Sequence, residues 1–327
     1  MKGPQFKRFL FYLYFFVESV LPIKKGSAMR TVVNWMGGKT RQLNNLLPLF
    51  DQIEHSIYVE SFGGAGTVLL AKNPVKREIY NDLNGLLCNL FRELRKPTTV
   101  EIFEELSQKF PYSREFNREL REICIAYYYD NIDECKRLIE QAYLSQYDFN
   151  TILAWCFFYV QNSSYGGVFL GSYGISGGTR RSMSLSLFQK IANLPYWSRR
   201  FRLVEVEHLN GIDCIQKYDS PNTLHYVDPP YERNCSAQYR CHWTKQKTQE
   251  LVAALKKCRG SVVLSCYDSQ SYEGLLETGY QKKDFSAYSS IGNINKQYCT
   301  ETIYYRISNK VNQDATSLES CENRLFG

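Results

Sequence analysis

The chain has 327 residues, of which 44% are hydrophobic and 15% aromatic, so its composition excludes a disordered or low-complexity protein. Its formal net charge of +7 permits an anionic partner such as nucleic acid without requiring one. The 11 cysteines show no paired spacing, which excludes a disulfide framework and favours reduced thiols in a cytoplasmic protein.

The N-terminal segment carries an apolar run, Phe9–Val17, directly after Lys7 and Arg8. The run is too short to span a bilayer and lacks the small-residue cleavage site of a signal peptide, so we expect no membrane association. Every motif that has a chemical interpretation follows Met29. We therefore expect residues 1–28 to be a dispensable extension and Met29 to be the functional start.

The first interpretable elements form a strand, a loop and a helix. Residues 56–66 (SIYVESFGGAG) predict a short strand that ends in glycines, and the apolar stretch Thr67–Ala71 predicts the start of a helix. A second strand, Arg77–Tyr80, leads to Asp82, and apolar residues then recur at helical spacing over Leu83–Arg95. Together these segments predict a βαβ unit.

A long segment of different character follows. From Pro97 to Tyr196 the chain has charged and aromatic helix-like stretches, interrupted by a glycine-rich loop at residues 163–178, here named the insertion loop. Strand-like runs then resume around one further helix. These elements are the strand Leu203–Val206, the strand Thr223–Val227, the helix Lys245–Cys258, the strand Ser261–Cys266 and the strand Glu301–Ile307.

The alternation of strands and helices predicts an α/β fold with a mostly parallel, Rossmann-like sheet and helices on both faces. We expect the core domain to comprise residues 29–96 and 203–310. Residues 97–202 would form an inserted, mainly helical lobe, and residues 311–327 a C-terminal tail.

The glycines of Phe62–Gly66 (FGGAG) lie where an α/β sheet places its ligand crevice, and they let the backbone approach a ligand closely. Alone, this loop is equally typical of a structural tight turn, and it is neither a Walker loop nor the dinucleotide fingerprint. Asp82 ends the next strand, where nucleotide-binding α/β folds place a carboxylate for ribose hydroxyls. Because no phosphate-binding lysine accompanies the loop, the pattern predicts a ligand that has a ribose but no phosphate.

Asp228, Pro229, Pro230 and Tyr231 follow a predicted strand and face the same crevice. The two prolines remove backbone donors and stiffen the loop, which leaves a carboxylate and carbonyl oxygens as fixed acceptors. Such acceptors suit an exocyclic amine, because hydrogen bonds from its protons return electron density to the nitrogen. Tyr231 offers a flat face for a base. A lone D-P-P-Y is also typical of a rigid exposed turn, but its combination with Asp82 and the glycine loop favours a site.

With these motifs in this order, the chain resembles the Dam-like adenine-specific DNA methyltransferases from Val32 to Ile307. The resemblance implies transfer of a methyl group from S-adenosyl-L-methionine to the N6 amino group of adenine in double-stranded DNA. Residues 34–39 (NWMGGK) look like the family's W-A-G-G-K motif. The cofactor-binding residues that the resemblance implies are Trp35, Lys39, Phe62, Gly64, Gly66, Asp82, Asn210 and Asp228. The implied catalytic residues are Asp228, Pro229, Pro230 and Tyr231.

Two positions depart from the family's pattern. Ser61 replaces a proline that is usual before Phe62, and Asn210 stands where an acid would face the adenine of the cofactor. Asparagine still offers an acceptor oxygen, so this departure bears on the affinity for the cofactor. Farther along, residues 261–267 (SVVLSCY), Ser290-Ile291 and Glu301 are similar to the family's later motifs.

The resemblance also implies that the inserted lobe, residues 97–202, is the target-recognition domain. Residues 175–202 carry six basic residues and no acid, which indicates either a phosphate-binding surface or a solvated basic face. The DNA-binding residues that we predict are Asn162, Arg180, Arg181 and Lys190.

Such an enzyme must extrude its target adenine from the duplex, because the amine is unreachable inside the base stack. It requires no metal, and Cys235, Cys241 and His242 lack the second Cys/His pair of a zinc site. Alternatives are a methyltransferase acting on cytosine N4, RNA or a glutamine side chain, and a catalytically inactive DNA-binding protein of the same fold. The order of the motifs and the presence of Asp228 favour adenine. We expect a monomer, with a cognate restriction endonuclease as a further candidate partner.

Overall fold

The computed structural model describes residues 31–175, 182–230, 243–267, 269–288 and 298–308. Several residues singled out in the sequence lie outside these described ranges. They are Arg180, Arg181, Tyr231, Cys235, Cys241, His242, Ser290 and Ile291.

A sheet of seven strands forms the centre of the described chain. The strands are β1 (Ile57–Glu60), β2 (Arg77–Asn81), β3 (Val204–Glu207), β4 (Thr223–Val227), β5 (Ser261–Tyr267), β6 (Gln281–Tyr288) and β7 (Tyr298–Arg306). Their spatial order is β3-β2-β1-β4-β5-β7-β6. Strands β1 to β5 are parallel, whereas β7 runs antiparallel to both of its neighbours. The predicted mostly parallel α/β sheet is therefore confirmed.

The sheet has its topological switch point between β1 and β4, because the chain builds outward from β1 in one direction and then from β4 in the other. In register, Glu60 pairs with Tyr80 of β2 and with Tyr226 of β4. The segments that follow these three strands consequently emerge side by side at one edge. In open α/β sheets this edge is where ligands bind.

The helices of the described ranges cover the sheet and fill the long connection between β2 and β3. They are α1 (Leu43–Phe50), α2 (Thr67–Ala71), α3 (Gly85–Leu94), α4 (Pro97–Lys109), α5 (Arg114–Tyr128), α6 (Ile132–Gln141), α7 (Phe149–Ser163), α8 (Met183–Ala192), α9 (Leu194–Phe201), α10 (Gly211–Lys217) and α11 (Lys245–Lys257). Within the described ranges, no helix is both long enough and apolar enough to cross a membrane.

Side-chain caps explain where many of these helices begin. At α3, for example, Asn84 Oδ1 accepts hydrogen bonds from the amides of Leu86 and Leu87, which have no partner within the helix. Equivalent caps come from Ser113, Asn131, Asp148, Ser182, Asn210 and Thr244. The helix boundaries are thus encoded locally, by short polar residues that precede each apolar pattern.

Helix α7 is the centre of the segment between β2 and β3. Every residue from Thr151 to Ser163 is buried, and the helix is apolar on all sides because it packs against both α3 and α5. Trp155 lies edge-on to Phe103 of α4, with ring centroids 5.3 Å apart. The buried residues of α7 belong to one apolar cluster that continues into β1 and β4. The helical character predicted for this segment is confirmed.

Two elements do not follow from the sequence pattern. Strand β6 carries Lys282, Lys283 and Asp284 and lies at the end of the sheet, where charged residues are common and the apolar alternation is weak. Helix α1 contains Pro48, which argues against a helix when only the sequence is considered. The last strand is also longer than predicted, since it begins at Tyr298.

Candidate active site at the carboxyl ends of β1, β2 and β4

The glycine loop after β1 depends on the absence of side chains. Gly64 and Gly66 have φ values of +50° and +64°, in the left-handed region that favours glycine. At Gly63 a Cβ atom would lie 2.2 Å from Cε2 of Tyr80, which is closer than packing allows. The Tyr80 hydroxyl donates a hydrogen bond of 2.6 Å to the carbonyl oxygen of Gly64. The loop is therefore held tightly over the end of β2.

Asp82 anchors this loop from the end of the neighbouring strand. Its Oδ2 accepts from the Gly64 amide and its Oδ1 from the Asn84 amide, each at 2.8 Å. Burial raises the pKa of Asp82 above its ordinary value, while the hydrogen bonds from Asn84 and Gly64 lower it. Each carboxylate oxygen has a second lone pair, so this anchoring leaves acceptor capacity for ligand hydroxyls.

Phe62 and Asn210 lie on neighbouring segments of the same edge. A Cβ atom at Gly211, the residue after Asn210, would lie 2.3 Å from Cζ of Phe62, so the aromatic ring packs directly on the start of α10. The Phe62 ring also lies edge-on to Trp243, with centroids 5.6 Å apart. Asn210 is exposed, and its Oδ1 accepts from the Ile212 amide at 2.9 Å. Its acceptor oxygen thus caps α10.

Asp228 leaves β4 beside this loop and is paired with Lys39. Lys39 Nζ lies 2.9 Å from Asp228 Oδ1, and the two side chains are 7% and 17% exposed. Pro229 is buried and Pro230 half-buried, so the chain after Asp228 is confined. The cofactor contact inferred for Lys39 from the sequence did not include this ion pair.

Two further acids belong to this site, and neither was assigned a role from the sequence. Glu60 is buried at the end of β1, where it accepts a hydrogen bond of 2.8 Å from the Tyr58 hydroxyl. Burial raises the pKa of Glu60 from 4.5 to about 8, with the Tyr58 hydrogen bond opposing this rise and the charge of Asp228 adding to it. A single acid at the end of an otherwise apolar strand is the signal that could have identified Glu60.

Glu301 is the second of these acids and projects from β7, opposite Tyr267 of β5. Burial raises its pKa, the nearby Lys39 lowers it and Asp228 raises it. Its Oε2 atom is buried and makes no hydrogen bond within the described part of the chain. Two carboxyl groups, those of Asp228 and Glu301, therefore lie near the ammonium group of Lys39, whereas the cation that acts on Glu60 is Lys72.

A cleft of about 360 Å³ opens between the glycine loop and the insertion loop. Its lining includes Trp35, Gly38, Ala65, Ser164, Gly166 and Gly167. The volume lies within the range of about 300 to 1,000 Å³ that is usual for small-molecule pockets. Trp35 also packs on the glycine loop, because a Cβ atom at Gly64 would lie 3.0 Å from its Nε1.

The structure gives Asn162 and Lys190 interior positions, which corrects the DNA contacts predicted for them. Asn162 is 1% exposed, and its side chain hydrogen-bonds the backbone of Val32 and Asn34. Lys190 is 3% exposed, and its Nζ donates to the carbonyl oxygen of Thr31 at 2.6 Å. Side chains committed to the interior in this way are not available for phosphates, so their role here is structural.

The basic segment, residues 175–202, also contains a buried arginine. Arg200 is 6% exposed, and its Nη2 donates to Glu78 Oε1 at 2.9 Å and to the carbonyl oxygen of Leu69. Arg200 therefore balances the charge of Glu78, a buried acid on β2. Arg180 and Arg181 lie outside the described ranges.

One group of potential metal ligands occurs within the described ranges, at Asp219, His225 and Cys258. It lies near the amino end of β4, away from Asp228. The oxygens of Asp219 already accept hydrogen bonds from the backbone amides of Arg259 and Gly260. These bonds and the one with His225 give the Asp219 side chain a structural function, and we assign no metal to it.

Comparisons with known proteins find DNA methyltransferases that are similar to this chain. The viral Type II methyltransferase M.CviBI of Paramecium bursaria Chlorella virus NC1A is 21% identical over 271 residues, which cover 78% of this chain and 91% of that protein. M.FokI, a Type II methyltransferase of Planomicrobium okeanokoites, is 26% identical over 214 residues, which cover 64% of this chain and 30% of that protein. The modification methylase StsI of Streptococcus sanguinis is 28% identical over 81 residues, 25% of this chain and 12% of that protein.

The family comparison covers most of the chain. Residues 35–289 match the D12 class of N6 adenine-specific DNA methyltransferases, a range that includes the glycine loop, Asp82 and the D-P-P-Y motif. The chain belongs to the D12 class N6 adenine-specific DNA methyltransferase family.

Proposed function

We propose that this adenine-specific DNA methyltransferase uses S-adenosyl-L-methionine, acts on a specific site in double-stranded DNA and performs its chemistry at Asp228. The observation that carries the proposal is the meeting of three motifs at the switch point of the sheet. The glycine loop follows β1, Asp82 follows β2 and Asp228 follows β4, and these strands are adjacent.

The residues present fit the proposed cofactor. Asp82 is held in place by two backbone amides and retains lone pairs for ribose hydroxyls. Gly64 and Gly66 have no side chains that would keep a ligand away from the loop, and Trp35 lines the adjoining cleft. When bound, S-adenosyl-L-methionine supplies an activated methyl group.

Asp228 would act on the amine to be methylated. Its carboxylate accepts hydrogen bonds from the amino protons, which raises the electron density on a nitrogen that is otherwise a poor nucleophile. The rigid prolines keep this acceptor in a fixed direction, and preorganised acceptors of this kind contribute by positioning and electrostatics. The Pro229 carbonyl is the second acceptor that we propose for the same amine.

The substrate adenine must leave the duplex to reach Asp228, at a cost of a few kcal/mol. We propose that the base then stacks on Tyr231, which directly follows Pro230 in the sequence. The flat ring would contribute roughly 1 to 3 kcal/mol by stacking.

We propose that the helical insertion, residues 97–202, provides target recognition, with Arg180 and Arg181 on phosphates. Contacts of this kind set affinity without reading sequence. Changing both arginines to Ala should therefore weaken binding to specific and unrelated duplexes equally and make the salt dependence shallower. If the substitution weakened binding only at the cognate site, these residues would read bases instead.

The relatives are named Type II methyltransferases and a modification methylase. We propose that this chain likewise acts as a monomeric, cytoplasmic modification enzyme that protects a DNA site from a cognate restriction endonuclease.

The test is modification-sensitive sequencing of DNA from methylation-deficient cells that express the protein. We expect N6-methyladenine at one short sequence motif. Methylation of cytosine N4 would refute the proposed base. Binding of labelled cofactor without any DNA methylation would support an inactive DNA-binding protein of the same fold.

A further inference from the structure

Gln161 connects the cofactor side of the cleft to the insertion loop. The residue is fully buried near the end of α7. Its Nε2 donates to the carbonyl oxygen of Asn34 at 2.8 Å and to that of Gly167 at 3.0 Å, while its Oε1 accepts from the Leu170 amide at 3.3 Å. The Gln161 side chain therefore hydrogen-bonds both Asn34, the residue before Trp35, and the insertion loop on the other side of the cleft.

Asn162 makes a second set of bonds to the same N-terminal segment. Its Oδ1 accepts from the Asn34 amide at 2.9 Å, and its Nδ2 donates to the carbonyl oxygen of Val32 at 3.1 Å. The Asn34 side chain returns a bond of 3.3 Å to the Asn162 carbonyl. Asn34 is thus fixed at its amide, its carbonyl and its side chain by two consecutive residues of α7.

The two segments also touch directly through their backbones. A Cβ atom at Gly167 would lie 3.1 Å from both the carbonyl carbon of Asn34 and the amide nitrogen of Trp35. Gly167 has a φ of +71°, which a larger residue adopts only with strain. The insertion loop therefore has no space to shift toward Trp35.

We propose that Gln161 and Asn162 are positioning residues that make cofactor binding at Trp35 and DNA binding by the insertion, residues 97–202, reinforce each other. This inference rests on the proposed function, which assigns the cofactor to the Trp35 side of the cleft and target recognition to the insertion. The network is buried, so a displacement of one segment either moves the other or leaves buried amide groups without partners. Both ligands then favour one common arrangement.

Coupling of this kind is reciprocal, because each ligand changes the affinity for the other by the same factor. Couplings in proteins typically span about 5- to 150-fold. We therefore expect S-adenosyl-L-methionine to bind at least about fivefold more tightly in the presence of a cognate duplex. The substitution Gln161→Met removes the hydrogen bonds to Asn34 and Gly167. The ratio of the cofactor affinities with and without the duplex should then fall toward one.

Hydrogen–deuterium exchange with and without S-adenosyl-L-methionine tests the inference on the full chain in the absence of DNA. In the wild type, the cofactor should slow exchange of the glycine loop, residues 62–66, and also of residues 168–172, which do not line the cleft. In Gln161→Met the protection of residues 62–66 should persist, and the protection of residues 168–172 should disappear. Gln141→Met, the same change at an exposed position on α6, is the matched control and should retain both.

If the cofactor protects residues 62–66 but not residues 168–172 of the wild type, the proposed coupling is wrong, whereas the proposed cofactor site still stands. Absence of protection at residues 62–66 would instead refute the proposed cofactor site.

A second measurement completes the test. The dissociation constant of S-adenosyl-L-methionine is measured with and without a duplex that contains the methylated site. A loss of fold stability alone would not alter the ratio between the cofactor dissociation constants with and without DNA. If Gln161→Met does not fold, Gly167→Ala perturbs the same contact from the loop side and should also reduce the ratio. An unchanged ratio in the folded variant would overturn the proposal.

Discussion

Lys39 Nζ lies 2.9 Å from Asp228 Oδ1, so one ion pair joins a motif near the beginning of the described chain to the D-P-P-Y motif after β4. In the proposed function, the target amine donates hydrogen bonds to the same carboxylate that Lys39 contacts. The ammonium also lowers the pKa of Glu301, the second acid near it. We therefore propose that Lys39 is part of the acceptor site as well as a cofactor contact.

Replacing Lys39 by Met should destabilise the protein, because it leaves Asp228 without its cation in a largely buried site. We expect a loss of about 3 kcal/mol in the free energy of unfolding, the lower end of the range for broken buried pairs, since Asp228 retains some exposure. Urea unfolding at neutral pH measures this difference. Lys109→Met, which breaks an ion pair on the surface with Glu105, should cost much less because solvent screens this pair. Equal effects of the two substitutions would contradict the importance of the pair.

Glu60 should make stability depend on pH in a defined direction. Its pKa is about 8 in the folded protein and near 4.5 when unfolded, so between these values the folded state binds more protons. The free energy of unfolding should then fall as pH rises from about 5 to 8, by at most roughly 1.4 kcal/mol per pH unit from this group.

The substitution Glu60→Gln removes this titration and keeps an acceptor for Tyr58. Its stability relative to the wild type should therefore increase as pH rises through this window, which urea unfolding at several pH values would show. Parallel pH profiles of the two proteins would mean that Glu60 is ionised in the fold.

Asp82→Asn should weaken binding of S-adenosyl-L-methionine about tenfold or more, because a half-buried acceptor is lost at a cost of roughly 1 to 3 kcal/mol. The structure adds a second effect, since both oxygens of Asp82 hold backbone amides and an Asn side chain offers only one acceptor oxygen. Isothermal titration calorimetry gives the affinity, with the exposed Asp51→Asn as the control. An unchanged dissociation constant would limit Asp82 to anchoring the loop.

The two substitutions of Tyr231 separate stacking from hydroxyl chemistry. Tyr231→Phe keeps the ring and should retain most activity, whereas Tyr231→Ala should lower the rate or affinity about ten- to a hundredfold. Single-turnover methyl transfer measures the rate, and 2-aminopurine fluorescence at the target position reports whether the base leaves the stack. Near-complete inactivity of the Phe variant would show that the hydroxyl takes part.

Local patterns in the sequence predict much of this site, because each motif stands at the end of a recognisable strand. In a parallel sheet these ends meet at one edge, so the closeness of the glycine loop, Asp82 and Asp228 follows from strand order. The Lys39–Asp228 contact does not follow in the same way. It depends on how a segment outside the sheet folds over the edge.

The interior positions of Asn162 and Lys190 illustrate a different limit. Polar residues near a glycine-rich loop indicate a surface when only neighbours in sequence are considered. Here their partners, Val32, Asn34 and Thr31, lie far away along the chain and become neighbours only after the insertion has packed on the core. Burial of a polar side chain is decided by such distant partners, which periodicity does not reveal.

The most direct test of the account is single-turnover methyl transfer by the wild type and by Asp228→Ala, with analysis of the nucleosides released from the DNA. Calorimetry with S-adenosyl-L-methionine and urea unfolding would verify that the variant still folds and binds the cofactor, beside the exposed control Asp51→Ala. We predict N6-methyl-2'-deoxyadenosine as the product and a rate that is roughly 10²- to 10³-fold lower without the Asp228 carboxylate. Methylation of adenine at the wild-type rate by Asp228→Ala, or transfer of the methyl group to another base, would contradict the account.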